Sequence, residues 1–229
     1  MENEIISYLE MCHREGVSLQ QGMNYRLGGD YSVILMSTRP NAPYRDEILD
    51  DGSTLIYEGH NIPRTDISID PKEVNQPQFT KRGNLTQNGK FHKAAQESKA
   101  GLRSPEIVRA YEKIKPGIWS YNGQFEMIDS WIERDNKRDV FKFELVAIED
   151  DESRPSVLHD QPVRRRIIPT RVKLEVWKRD KGMCVICGAK DELHFDHIIP
   201  FSKGGTSLTA ENIQLLCARH NIEKRDEIK

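Results

Sequence analysis

CVICGAKDELHFDHIIP, residues Cys184–Pro200, decides how the C-terminal part of this chain folds. It sets a CxxC pair just ahead of an adjacent aspartate and histidine, Asp196 and His197, in an apolar run. A second pair follows, Cys217 and His220, spaced CxxH. Zinc takes four soft or borderline donors in a tetrahedron, and two tight pairs joined by a spacer of roughly thirty residues supply them. Cys184, Cys187, Cys217 and His220 therefore read as a structural zinc site. Without the metal this short module would have almost no core.

The segment between the pairs is too polar for packing alone. LHFDHIIP alternates, with Leu193, Phe195, His197 and Ile199 on one side and His194, Asp196 and Ile198 on the other. A regular strand would send Asp196 and His197 to opposite faces. For both to serve one centre, either the chain bends there or a reacting water sits between a metal and the imidazole. SKGG then reads as a turn, ENIQLLC completes a strand pair, and CARHNIEK reads as a helix carrying Asn221 directly after His220.

Working outward, the 229 residues suffice for one large domain or two modest ones, and 37% hydrophobic with 31% charged residues describes a soluble globular chain. No long uncharged apolar run is present, so no membrane partner is expected. The N-terminus carries acidic residues where a signal peptide has basic ones, and a cytoplasmic location is expected. Three of the four cysteines cluster near the C-terminus, which in a reducing compartment favours metal over disulfide. The net charge of −2 hides a segregation. Ile148–Ser153 is acidic, and Val163–Lys181 is strongly basic and leads into the metal cluster, which points to phosphate contact.

The first two-thirds has a β texture. After an amphipathic helix in ENEIISYLEMCHREG, with Ile5, Leu9 and Cys12 on one face, YSVILMS and STLIYEG read as strands. Gly123–Ile148 reads as a hairpin turning at Asp135-Asn136-Lys137. SPEIVRAYEKI is ambiguous: Ser then Pro suits a helix start, yet the segment could equally be a strand. Residues 62–91 read as long polar loops of the kind that are either functional or disordered. A polar stretch with two prolines, DDESRPSVLHDQPV, marks a boundary. The expected layout is residues 1–150 as one domain, 151–169 as linker and 170–229 as the metal module. The expected class is α+β, a mostly-β domain with a small zinc-stabilised one.

Several motifs carry a family resemblance. Trp177-Lys178-Arg179-Asp180, the Cys184–Cys187 pair, Asp196-His197-Ile198-x-Pro200, Ser202-Lys203-Gly204-Gly205, Asn212-Ile213-Gln214, Cys217-x-x-His220-Asn221 and Lys224 resemble the HNH endonucleases, whose fold is the ββα-metal module. The resemblance implies Asp196 and Asn221 as ligands of a catalytic Mg2+ or Mn2+, His197 as general base, and Asn212 as the residue orienting the base loop. Phosphodiester hydrolysis needs a base titrating near neutrality and a hard cation on the phosphate, which this set provides. The chain has His220 where cysteine is frequent and Asn221 where the family often has a histidine.

Leu27-Gly28-Gly29-Asp30-Tyr31-Ser32, Pro43-Tyr44-Arg45-Asp46, Ile56-Tyr57-Glu58-Gly59, Lys81–Leu85, Lys115–Gly123 and Phe141–Leu145 resemble the SRA (YDG) domain, a half-open β-barrel that flips a modified cytosine into a pocket. Tyr44 and Tyr57 correspond to its stacking positions, and Asp46 or Glu47 to its acid; Glu58 stands where threonine is common. Together the two resemblances imply a modification-dependent (type IV, McrA-like) restriction endonuclease. It would bind double-stranded DNA carrying 5-methyl- or 5-hydroxymethylcytosine, as a homodimer. Two alternatives stand beside it: a non-catalytic reader of modified DNA, and an HNH nuclease with sequence- or structure-specific binding.

Overall fold

The apolar-alternating arms around Asn136-Lys137 build the frame of the N-terminal part. In the computed structural model, which describes residues 3–19, 21–49, 52–63, 69–148, 167–200 and 203–224, they form strands β7 (Ile118–Asp135) and β8 (Arg138–Ile148). The register closes at Asp135 opposite Arg138, so Asn136 and Lys137 make the turn. SPEIVRAYEKI is strand β6 (Glu106–Lys115), paired antiparallel with β7. Its alternating burial shows why the strand reading prevails: Val108 and Ala110 point into the core.

The remaining strands are β1 (Ile5–Ile6), β2 (Met23–Asn24), β3 (Ser32–Met36), β4 (Glu47–Ile48) and β5 (Thr54–Glu58). The sheet runs β2-β3-β6-β7-β8-β5-β4, with β3 parallel to β6 and β1 added along β7. The end strands β2 and β4 do not pair, yet the sheet curls so that its halves touch. Tyr57 on β5 donates from its hydroxyl to the Leu35 carbonyl on β3 at 3.4 Å, and Ser37 N–H donates to Asp46 at 2.9 Å. This is the expected half-open barrel, and its mouth lies between the unpaired ends.

Two helices depart from expectation. Helix α1 (Tyr8–Glu15) starts later than its apolar pattern, because Ser7 caps it with a reciprocal bond to Glu10 while Ile5 and Ile6 join the sheet. It buries Met11, while Leu9 is 79% exposed. Within the stretch expected as loop, α2 (Gln87–Lys99) packs Phe91, Ala94 and Ala95 against the sheet. Thr86 caps it by accepting from Gly89 N–H. Its few apolar residues are small apart from Phe91, so its periodicity is faint in the sequence.

The C-terminal part comprises α3 (Thr170–Arg179), β9 (Leu193–His197), β10 (Ile213–Cys217) and α4 (Ala218–Lys224). Its small core gathers Val172, Val176, Phe195, Leu215 and Leu216 around the cysteines. Most of the expected linker, residues 151–166, lies outside the described residues. No helix among the described residues is long and apolar enough to cross a membrane.

The two parts meet through a buried polar joint. Lys173 of α3 and Glu112 of β6 are both fully buried, with Nζ 2.7 Å from Oε2. Lys173 also donates to Asn122 Oδ1 at 2.6 Å, and Asn122 donates back to Glu112 at 3.1 Å. Thr170 donates to the other Glu112 oxygen and contacts Thr38. Beside this joint, Glu4 bridges to His194, and Phe195 N–H donates to the Asn3 carbonyl at 3.0 Å. Within the basic run, Lys173 is therefore buried in protein contacts rather than available to phosphate. Arg179 is likewise engaged by Asp180 and the Ala210 and Ile213 carbonyls.

Removing one partner of a buried pair leaves the other charge uncompensated, at about 3–5 kcal/mol. Lys173→Ala is expected to lower unfolding free energy by that amount, measured by urea titration. Lys173→Met with Glu112→Leu should recover part of the loss, because neither charge then remains buried.

Candidate functional site

Four donor atoms meet at the start of α4. The Sγ atoms of Cys184, Cys187 and Cys217 and a ring nitrogen of His220 lie within 4.8 Å of one another. Cys187 and Cys217 Sγ are 3.8 Å apart, and His220 Nδ1 lies 3.4 Å from Cys184 and 3.3 Å from Cys217. Tetrahedral zinc with Zn–S of about 2.3 Å and Zn–N of about 2.0–2.1 Å requires separations of this size. The donor set and its spacing fit zinc, with all four positions filled by protein. The surrounding loops are held by polar staples: Asp180 accepts from Leu215 N–H at 3.0 Å, and Gly182, at φ +62°, lies where a Cβ would strike the Trp177 ring at 2.7 Å.

Beyond the cluster, β9 stays regular to its end, with Asp196 opposite Gln214 and His197 opposite Ile213. Their side chains therefore leave opposite faces of the strand. Asp196 Oδ2 accepts from Gln214 Nε2 at 3.0 Å and lies 3.0 Å from Lys224 Nζ. His197 Nε2 is 2.8 Å from Ser207 Oγ. Asn212 clamps the loop after β9. It accepts from Ile199 N–H at 2.8 Å and donates to the Ile199 and Thr206 carbonyls at 3.0 and 2.9 Å. Gly205 makes the clamp possible, since a Cβ there would lie 1.8 Å from the Ile199 carbonyl oxygen. Asn221 is half-buried on α4, three residues before Lys224 and so on the same helix face.

At the barrel mouth opens a cavity of about 1410 Å³, larger than an ordinary small-molecule pocket. Its wall includes Tyr44, Asp46, His60, Leu35 and Trp119, and Arg39, Lys81, Arg82 and Lys113 also line it. The Tyr44 and His60 rings stack, 5.3 Å apart with planes 17° from parallel. Tyr57 is buried behind them, its hydroxyl 3.2 Å from His60 Nε2. Asp46 accepts at both oxygens, from Ser37 and Glu58 N–H. Glu47 is exposed on β4 and does not line the cavity. Glu58 is buried in a pair with Arg138 at 3.2 Å and Lys142 at 3.3 Å. His60 is a cavity residue that the sequence motifs did not single out, although it directly follows Tyr57-Glu58-Gly59.

The family model of the HNH endonucleases matches residues 184–227. That stretch is an HNH domain. No curated protein matches the chain. Among solved structures, the SUVH5 SRA domain in complex with hemimethylated CG DNA is 22% identical, covering 67% of this chain and 90% of its own, with a TM-score of 0.43. The type IV phosphorothioation-dependent restriction endonuclease ScoMcrA is 14% identical, covering 98% of this chain and 56% of its own, with a TM-score of 0.45. Arabidopsis thaliana SUVH6 is 20% identical over 86% of this chain and 31% of its own, at a TM-score of 0.40.

Electrostatics distinguishes the two sites. In the HNH domain, burial pushes the Cys184 thiol up, but backbone N–H groups of Cys217, Cys187 and Ile186, with His220, outweigh it and bring it to about 6. The ligand form of cysteine is the thiolate. At the cavity, burial raises Asp46 from 3.8 to about 7 against the opposing backbone donors. Burial alone lowers His60 from 6.5 to about 4, so the ring stacked on Tyr44 is neutral at physiological pH.

Chelation of zinc should unfold the HNH domain, with loss of its far-ultraviolet signal and release of stoichiometric zinc; a chain that stays folded and metal-free would contradict the site. Asp46 takes up a proton on folding, so its contribution to stability falls as pH rises from 3.8 to about 7. His60 sheds one, so its contribution falls as pH drops from 6.5 toward 4, with opposite sign in an overlapping window. Asp46→Asn should remove the first slope and leave the second, read as the difference in urea midpoint between wild type and variant across that range.

Proposed function

We propose that this chain is a modification-dependent DNA endonuclease. The N-terminal barrel accepts a flipped modified cytosine in its cavity, and the HNH domain hydrolyses phosphodiester bonds nearby. The observation that carries this reading is the pairing, in one chain, of an HNH domain with an aromatic- and acid-walled cavity lined also by four basic residues. A flipped base needs a flat aromatic face and polar groups for its edge, which the Tyr44–His60 stack and Asp46 supply. The basic side chains suit the flanking phosphates. The SRA motifs around Tyr44 and Tyr57 point to cytosine modified at carbon 5.

In the HNH domain, Asp196 and Asn221 would hold a Mg2+ or Mn2+ ion, which supplies charge on the phosphate oxygens and an oriented water. His197, oriented by Ser207, takes the proton from the attacking water, and Asn212 keeps the loop beyond it in place. Because Asp196 and His197 leave opposite faces of β9, the water must bridge the carboxylate side and the imidazole at the strand end. Cutting both strands calls for two copies on DNA, so a homodimer is part of the proposal.

Cleavage of otherwise identical methylated, hydroxymethylated and unmodified duplexes tests the reader role, and equal cutting of all three would sink it. His197→Ala should lower cleavage by about two to four orders of magnitude, the usual contribution of a general base. Binding of modified duplex, measured by anisotropy, should be unchanged.

A further inference from the structure

The side chain of Lys224 is 3% exposed, against 12% for its partner Asp196. Its ammonium lies 3.0 Å from Asp196 Oδ2 and donates to the main-chain oxygen of His197 at 2.5 Å. A carboxylate and a carbonyl oxygen thus converge on one buried cation. Hard divalent ions take oxygen donors of just this kind. The ammonium stands where such an ion would draw its oxygens, and Gln214 completes the ring of contacts on the same Asp196 oxygen.

We infer that Lys224 and the catalytic divalent cation are alternative occupants of Asp196: the lysine holds the metal-free site together, and metal binding displaces it. The inference rests on the reading of Asp196 as a metal ligand. An oxygen bound to Mg2+ at about 2.0–2.1 Å cannot keep an ammonium in its present position without two cations in near contact in a buried place. Competition of this sort is reciprocal, so the ion must expel the lysine as strongly as the lysine weakens the ion. The arrangement gives the metal-free protein a charge-balanced site rather than a buried lone carboxylate. Asn221, on the same face of α4 as Lys224, places the expected metal ligand and the lysine that the metal displaces on one helix.

The test uses the full zinc-loaded chain and Mn2+. Acylation of lysines with an N-hydroxysuccinimide ester, read by mass spectrometry, should find Lys224 protected without Mn2+ and labelled on the order of tenfold faster at saturation. Lys224→Met should bind Mn2+ on the order of tenfold tighter by calorimetry. Its metal-free form should melt below wild type, with Mn2+ restoring more stability than it adds to wild type. Mn2+ binding that leaves Lys224 protected overturns the exchange, as does a variant that binds Mn2+ no more tightly. Absence of Mn2+ binding in both proteins overturns the metal-ligand reading itself, and the exchange with it. The labelling arm needs no variant, so a Lys224→Met chain that fails to fold leaves the inference open to refutation.

Discussion

The ion pair between Lys173 and Glu112 is the joint on which the arrangement of this protein depends. Burying two charges is costly unless their remaining hydrogen-bonding capacity is met. Here Asn122 and Thr170 meet it. A joint of this kind is directional where an apolar one is not. It sets α3 in one register against β6, and α3 leads directly into the four-donor cluster. The N-terminal strand reinforces it: β1 lies along β7, while the residues just before it bond to β9. The separation of the barrel mouth and the HNH domain is thus fixed by two independent contacts.

The HNH domain shows how a segment too small for a large core remains ordered. Its apolar cluster is modest, so polar groups take over tasks that packing performs elsewhere. Asp180 and Arg179 tie the end of α3 to β10, Asn212 spans the loop after β9, and the four metal donors draw α4 toward the start of the module. The polar ties end on backbone groups. The Trp-Lys-Arg-Asp motif therefore has a structural meaning independent of catalysis: the tryptophan packs on Gly182, and the arginine and aspartate bind main chain.

The four metal donors are legible in the sequence because their chemistry confines them to a spacing that few other uses share. The strand pair is legible for a similar reason, since alternation of apolar residues has one geometric solution, whereas the Ser-Pro opening of the β6 segment leaves helix and strand both open until its burial decides. Other features are not. Helix α2 buries only Phe91 and two alanines among its apolar residues, too little contrast to show as a period. Leu9 reads as a core residue from its spacing, but α1, starting after the Ser7 cap, buries Met11 and packs Cys12 inward while Leu9 stays exposed. His60 has no local pattern to mark it; it becomes part of the cavity only because Gly22 on a distant segment leaves room beside Tyr57.

Residue type and short-range spacing were enough to pick out the four metal donors, the α+β class and the charged groups along the chain. What those groups face was settled by folding alone. Lys173 lies in a basic run, but folding buries it against Glu112. Lys224 follows the Cys217–His220 donor pair on a helix, and folding brings its ammonium to Asp196. The reason is physical: a charge is read from the sequence at once, whereas its partner is chosen by long-range contacts between elements that the chain brings together only when it folds.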